Sequence, residues 1–314
     1  MGIASADLSI QLAPRSPEGL MLDNPVIAAS GTFGYGIEYY QLIDIQKLGA
    51  VVCKGTTLMP KKGNPQPRMV ETTGGLLNSI GLENIGVDAV IRDKAPVWAK
   101  WRVPVIVNVA GETMDEYIQI VTRLEGVPGV SGIELNISCP NISGGRIEFG
   151  VNPQVAAELT SQVKAVTSLP LIVKLSPNVT DIREIALAVE EAGADAISLI
   201  NGLVGMAIDI NTRRSRLGKN LTGGVTGPCL KPIALRMVWQ VAQVVNIPVI
   251  GIGGITGAED ALEFFIAGAT AIEIGTYNLI DPKVMIKTIE GIRKYLIDNG
   301  INSINDIIGS IVLS

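Results

Sequence analysis

Eight short apolar runs, separated by segments with helical periodicity, are the feature of this sequence that most limits its fold. Runs of this length that are rich in Val, Ile and Ala are typical of strands buried on both faces of a parallel sheet. The predicted strands are Pro25–Ser30, Ala50–Gly55, Val105–Ala110, Gly132–Ser138, Leu171–Ser176, Ala196–Asn201, Pro248–Gly253 and Ala271–Gly275. The clearest predicted helices are Asp115–Leu124, Pro153–Thr167, Asp181–Ala192, Pro232–Val245, Ala258–Ala267 and Pro282–Asn299.

Eight strands that alternate with helices in a chain of 314 residues favour a (β/α)8 TIM barrel, formed as a single domain over residues 1–314. A doubly wound open sheet is the alternative, but no predicted strand is followed by GxGxxG and no linker divides the chain. We expect residues 1–24, with apolar runs at Leu8–Leu12 and Leu20–Leu22, to form a hairpin that closes the N-terminal end of the barrel.

The composition excludes several classes of function. A net charge of −5 without a basic tract argues against nucleic acid and anionic membranes as partners, and no apolar run is long enough to span a bilayer. The N-terminus lacks the pattern of a signal peptide and the three cysteines lack zinc spacing, so we expect a cytoplasmic protein without a metal site. Because the chain has no histidine, proton transfer must fall to Cys, Lys, Tyr or a carboxylate.

Polar residues and glycines end the predicted strands, at the face that carries the active site in a TIM barrel. They are Ser30, Lys54, Asn108, Asn136, Lys174, Asn201, Gly253-Gly254 and Gly275-Thr276. Three long segments also follow strand ends, and long ordered loops are usually functional: Thr56–Asn84, Cys139–Asn152 and Gly202–Leu230. So many polar groups are not expected in a packed core, whereas they are expected in the wall of a binding pocket.

The strand-end residues indicate a phosphorylated, anionic ligand. The glycines after the seventh and eighth strands could simply make tight turns, but together they favour a phosphate site, since glycine lets backbone N–H groups approach an anion. Lys54 and Lys174 could extend to solvent, although inward-facing strand ends favour contact with an anion. The three asparagines could satisfy backbone groups of the barrel, but they favour recognition of the polar edges of a heterocycle.

Cys139 is the strongest candidate for a catalytic base. Free cysteine is usually a small buried hydrophobic residue, and that interpretation suits Cys53 and Cys229. Cys139 instead lies among polar neighbours at the start of a long loop. A thiolate favoured by nearby cations can remove a carbon-bound proton.

These motifs resemble the dihydroorotate dehydrogenase family. Asn136–Asn141 (NISCPN) is similar to the catalytic loop of that family, and Asn78–Val87 (NSIGLENIGV) is similar to its substrate loop. Val173–Asn178 and Gly223–Pro228 also fit, as do the two glycine pairs. The resemblance runs from about Leu8 to the C-terminus, and the first two motifs are specific to the family.

The resemblance implies an FMN-dependent barrel that oxidises dihydroorotate to orotate in pyrimidine biosynthesis, with Cys139 removing the C5 proton while hydride leaves C6 for flavin N5. Lys174 would lie near flavin N1 and stabilise the anionic reduced ring. The implied FMN contacts are Ser30, Lys54, Gly55, Asn108, Asn136, Lys174, Ile200 and Gly227, with the phosphate on Gly253, Gly254, Gly275 and Thr276. The implied substrate contacts are Lys54, Asn78, Ser79, Ile80, Gly81, Leu82, Asn136, Asn141, Asn201 and Gly202.

The resemblance also implies a partner. Cysteine rather than serine at position 139 resembles the soluble class 1 branch of the family. Within class 1, the segments Gly81–Val87 and Gly223-Gly224 resemble those of class 1B. That branch passes electrons to NAD through a separate subunit with FAD and a [2Fe-2S] cluster, which three scattered cysteines could not hold. We therefore expect a homodimer core within a heterotetramer.

The chain departs from the family pattern at one position, and several alternative functions stay open. The family usually has Thr or Ser where this chain has Gly202. The missing hydroxyl removes one expected hydrogen bond to the substrate, which contributes about 1 kcal/mol if both partners are neutral. The alternatives are an FMN barrel acting on another dihydropyrimidine, a fumarate-linked class 1A enzyme, a flavin-free isomerase or lyase, and an inactive scaffold for a partner. Asn141, which follows Cys-Pro, favours orotate over other pyrimidines.

Overall fold

Eight parallel strands form a closed barrel, which confirms the predicted fold class. The structure, a computed structural model, describes residues 5–137 and 149–312. The barrel strands in chain order are Val26–Ala28, Ala50–Val52, Val105–Val109, Gly132–Asn136, Leu171–Lys174, Ala196–Leu199, Val249–Ile252 and Ala271–Ile274. Each lies within a predicted strand, so all eight predictions are confirmed.

Pairing of the last strand with the first closes the barrel. Glu273 lies opposite Ile27 in this parallel pair, and the sixth strand pairs with the fifth and seventh. Every residue in the eight strands is buried. Burial on both faces, by the barrel interior and by the outer helices, explains why the strands are continuous apolar runs rather than alternating ones.

Six helices on the outside of the barrel confirm the six predicted ones. They are Met114–Leu124, Pro153–Lys164, Ile182–Glu191, Lys231–Ala242, Ala258–Ala267 and Val284–Asp298. The side chains of Asn152 and Asp181 accept hydrogen bonds from the backbone N–H groups of Val155 and Arg183, so both act as N-caps. Gly268 ends its helix in the left-handed conformation with a φ of 118°.

One helical segment was not predicted. Val87–Ala89 and Ala95–Trp98 are short α-helices joined by a π-helical turn at Val90–Lys94. Pro96 has no N–H group to donate within a helix, so it obscures the helical periodicity of this stretch. The segment packs on the core through buried residues that include Val87, Val90 and Trp98.

Further strands lie outside the barrel. Ile10–Gln11 and Met21–Leu22 pair as the predicted hairpin, which directly precedes the N-terminal end of the first barrel strand. The long loops after the second and sixth barrel strands contribute two strands each to a four-stranded antiparallel sheet. In spatial order these strands are Leu203–Gly205, Gly223–Thr226, Gly75–Asn78 and Met69–Thr72. A small two-stranded sheet pairs Ile208–Asp209 with Arg214–Ser215.

No helix among the described residues is both long enough and apolar enough to cross a membrane.

Candidate active site

Two adjoining cavities open at the C-terminal ends of the barrel strands. The inner cavity encloses about 690 Å³ and the outer one about 1200 Å³, counting space open to solvent. The residues that line both cavities are Ser30, Thr32, Asn136, Asn201, Gly202, Thr226 and Thr276. Because these walls are shared, ligands in the two cavities would touch.

Glycine-rich turns after the seventh and eighth barrel strands form one end of the inner cavity. Gly253 and Gly254 have φ angles of 131° and 74°, which side-chain-bearing residues rarely adopt. A Cβ atom on Gly254 would lie 2.6 Å from the backbone nitrogen of Lys231. The turn can therefore hold only glycine, and it brings backbone N–H groups close to the cavity, as a phosphate site requires.

The structure brings together all the residues predicted for the cofactor. Those on the inner cavity are Ser30, Asn136, Lys174, Ile200, Gly227, Gly253, Gly254, Gly275 and Thr276. Lys54, Gly55 and Asn108 line the outer cavity beside Ser30 and Asn136.

Most of the residues predicted for the substrate line the outer cavity. They are Lys54, Asn78, Ile80, Gly81, Leu82, Asn136, Asn201 and Gly202. The four-stranded sheet positions Asn78, whose amide nitrogen donates to the Gly224 carbonyl at 3.2 Å. Lys54 follows the second barrel strand, and it has no ion-pair partner in the described ranges. The outer cavity thus offers a cation beside several amide groups.

Three predicted residues are not placed on either cavity. Ser79 is buried, and its hydroxyl accepts a hydrogen bond from the Asn220 side chain at 3.1 Å, away from both cavities. Cys139 and Asn141 lie outside the described residues.

A buried charged cluster lies inside the barrel beneath the inner cavity. The Lys174 ammonium is 3.3 Å from Glu134 Oε1 and 3.2 Å from Glu273 Oε2, and the three side chains are almost completely buried. Asn108 and Ser198 donate further hydrogen bonds to Glu134, at 2.5 and 2.8 Å. Lys174 reaches the cavity wall, whereas neither carboxyl group lines a cavity.

The two carboxyl groups have opposite pKa shifts. Burial alone would raise the pKa of Glu134, but the Lys174 ammonium and the hydrogen bonds that it accepts hold this pKa below its ordinary value. Burial raises the pKa of Glu273 well above its ordinary value, and the neighbouring Glu134 carboxylate raises it further. Burial would lower the pKa of Lys174, but both carboxyl groups together raise it. These directions favour a charged Lys174 with an ionised Glu134 as its counter-ion.

Sequence reasoning missed Glu134, Glu273 and Thr32 as site residues. A charged residue in the middle of an apolar strand was the available signal for both glutamates, because buried charges need partners. Thr32 lies two residues beyond a predicted strand, and its hydroxyl is buried without a hydrogen-bond partner among the described residues. It lines both cavities.

The fold and the site define a class: a TIM-barrel protein with two adjoining, polar-lined cavities at the C-terminal ends of its barrel strands. Comparison with known proteins identifies the family. The family profile described as dihydroorotate dehydrogenase matches residues 15–296. The chain belongs to the dihydroorotate dehydrogenase family.

Similar proteins carry one name, dihydroorotate dehydrogenase B (NAD(+)), catalytic subunit. The protein from Geotalea uraniireducens is 53% identical over 306 residues, which is 98% of each chain. The protein from Geobacter sulfurreducens is 52% identical over 305 residues, covering 97% of this chain and 98% of the relative. The protein from Desulforamulus reducens is 54% identical over 287 residues, or 91% and 94% of the two chains.

Proposed function

We propose that this chain oxidises dihydroorotate to orotate in pyrimidine biosynthesis, as the catalytic subunit of an NAD-linked dihydroorotate dehydrogenase. Its near full-length similarity to relatives of that name supports this activity. The structural observation that carries the proposal is the shared wall between the two cavities. Hydride transfer needs the donor and the acceptor in direct contact, and two ligands in these cavities would meet at Asn136 and Asn201.

The inner cavity fits FMN. Its glycine turns at Gly253-Gly254 and Gly275 would hold the phosphate, and Lys174 would lie against the ring system. Two buried polar atoms have no hydrogen-bond partner in the described part of the chain: Thr32 Oγ1, whose residue lines both cavities, and Asn108 Oδ1, whose residue lines the outer cavity beside it. Such atoms are costly unless a ligand or water satisfies them. Bound FMN would supply the hydride acceptor, which no amino-acid side chain provides.

The outer cavity fits dihydroorotate. Lys54 would pair with its carboxylate, since Lys54 lines the cavity and forms no ion pair among the described residues, while the nearby Glu83 is paired with Arg68. The amides of Asn78, Asn136 and Asn201 would bind the ring N–H and C=O groups. The loop at Ile80–Leu82 would cover the ring and exclude water.

Cys139 is the proposed general base, although it lies outside the described residues. It follows Asn136, a residue of both cavity walls, by three positions. No histidine is available in the chain, and a thiolate is a competent base near neutral pH.

The words catalytic subunit in the names of the relatives support a partner for this chain as well. We propose a partner subunit with FAD and a [2Fe-2S] cluster that carries electrons to NAD. The assembly would be a heterotetramer built on a homodimer of this chain. Cys53 and Cys229 are free thiols, which suits the reducing cytoplasm as the location.

The anaerobic visible spectrum of the purified chain, before and after dihydroorotate is added, tests the proposal. We expect a flavin band that bleaches with the substrate. A flavin band that dihydroorotate leaves unchanged would move the proposal to another substrate. A colourless protein that binds no added FMN would overturn it.

A Cys139→Ala variant tests whether the barrel is an inactive scaffold. Turnover should be lost while flavin remains bound, and the matched Cys229→Ala variant should keep turnover, because the exposed Cys229 lines neither cavity. Unchanged turnover in Cys139→Ala would exclude Cys139 as the base.

A further inference from the structure

The charged cluster beneath the inner cavity has more potential negative charges than positive ones. One ammonium, that of Lys174, contacts two fully buried carboxyl groups, those of Glu134 and Glu273. If both carboxyl groups were ionised, the barrel interior would hold an uncompensated negative charge, which is strongly unfavourable at low dielectric.

The surroundings of the two carboxyl groups are unequal. Glu134 accepts hydrogen bonds from Lys174, Asn108, Ser198 and, at 3.4 Å, Ser30. Glu273 accepts from Lys174 through Oε2 and shares a hydrogen bond with the Glu134 carboxyl group, whereas its buried Oε1 has no donor among the described residues. An ionised carboxylate needs donors at both oxygens, so the hydrogen-bond pattern favours ionised Glu134 and neutral Glu273.

In the part of the chain that the structure describes, Lys174 is the one cation that forms an ion pair with Glu134 or Glu273. The neutral side chains that donate hydrogen bonds to Glu134 are Asn108, Ser198 and Ser30, and the first and seventh barrel strands contain only apolar residues. Within residues 5–137 and 149–312, the further titratable group that interacts with Glu134 is the fully buried Cys53, and burial raises the pKa of its thiol to about 12. Cys53 is therefore neutral.

We propose that Glu134 and Glu273 share one proton, carried by Glu273, so that the cluster holds a single negative charge opposite Lys174. The two glutamates then act as positioning residues that set the charge beneath the cofactor ring. With one negative charge the cluster is neutral, and an anionic ring can be accommodated against Lys174. With two negative charges the cluster would be negative overall and would repel the same anionic ring. This role in setting ring charge rests on the proposed function, whereas the location of the proton does not.

Infrared spectroscopy of the flavin-free protein locates the proton directly. A neutral carboxyl group has a C=O stretching band that a carboxylate lacks, and burial slows its exchange in D2O. We expect this band in the wild type at neutral pH and its loss in Glu273→Gln. It should also be lost in Glu134→Gln, because Glu273 then becomes the sole counter-ion of Lys174 and ionises. Glu191→Gln, an exposed change on an outer helix, should keep the band. A wild-type protein without the band would overturn the proposal, whether or not it binds flavin.

The midpoint potential of the bound flavin gives an independent measurement. Each single variant keeps one negative charge, so the potentials of Glu134→Gln and Glu273→Gln should stay close to that of the wild type. The double variant, with both substitutions, has no negative charge in the cluster. Its flavin potential should rise because the positive charge of Lys174 is then unbalanced. A rise in either single variant would show that both carboxyl groups are ionised in the wild type and would contradict the proposal. If the double variant does not fold, the infrared band and the single variants still decide the question.

Discussion

Gly202 packs against Gly224 across the edge of the four-stranded sheet, and the contact is asymmetric. A Cβ atom on Gly202 would lie 3.0 Å from the Gly224 Cα, whereas a Cβ atom on Gly224 would lie 3.5 Å from the Gly202 Cα. At the first distance the neighbouring backbone must give by a few tenths of an ångström, whereas the second distance is an ordinary van der Waals contact. Gly202 therefore lies in a tighter backbone contact than Gly224 does.

Gly202→Ala should therefore destabilise the protein, and Gly224→Ala should be tolerated. Overpacking of this kind costs about 1–3 kcal/mol. Because Gly202 lines both cavities, its variant should also bind dihydroorotate more weakly. Urea unfolding and the KM for dihydroorotate measure the two effects. Equal unfolding midpoints for the two variants would contradict the packing argument.

Gly254→Ala should reduce the affinity for FMN. Its φ of 74° and the 2.6 Å approach to the Lys231 nitrogen force the turn to change shape. Strain of about 1–3 kcal/mol in the FMN-bound turn corresponds to a loss of roughly 5- to 150-fold in affinity. Titration of the flavin-free protein with FMN gives the dissociation constant.

Gly257→Ala is the matched control, since Gly257 lies three residues further along with nothing within 4 Å of its Cβ position. It should bind FMN as the wild type does. Similar losses in both variants would argue against a phosphate site at Gly253-Gly254.

Lys54→Met should raise the KM for dihydroorotate with the flavin still bound. A hydrogen bond to a charged group contributes about 1.5–3 kcal/mol, so the KM should rise roughly 10- to 100-fold. Lys62→Met is the control, because Lys62 is exposed in the same loop and lines neither cavity. An unchanged KM in Lys54→Met would place the substrate carboxylate elsewhere.

Glu273→Gln should change how stability depends on pH. The pKa of Glu273 is raised on folding, so its contribution is fully present below the unfolded value of 4.5 and is lost as the pH rises through the folded value. Wild-type stability should thus fall relative to Glu273→Gln across that window, by at most about 1.4 kcal/mol per pH unit. Urea unfolding at a series of pH values measures the difference.

Glu191→Gln should follow the wild-type curve in the same experiment, because Glu191 is exposed. Parallel curves for the wild type and Glu273→Gln would mean that Glu273 has the same protonation state folded and unfolded.

Local patterns in the sequence were sufficient to predict the barrel strands, the six outer helices and the polar residues at the strand ends that line the cavities, whereas the other predicted lining residues came from the family resemblance. Apolar runs report burial directly, and the carboxyl ends of parallel strands must meet at one face of a barrel. Lys174 and Asn136 could therefore be assigned to one site although neither is near the other in the chain. The helical segment around Val90–Lys94 escaped prediction because Pro96 interrupts its periodicity.

The partners of each side chain were decided only by the tertiary structure. The sequence shows Glu134 and Glu273 as isolated acids in apolar strands, and closure of the barrel brings both within hydrogen-bonding distance of Lys174. The contact between Gly202 and Gly224 was also decided by the tertiary structure, because it depends on how two strands of the four-stranded sheet pair. Burial is a property of local patterns, whereas a buried charge or a close backbone contact depends on residues that only the folded chain brings together.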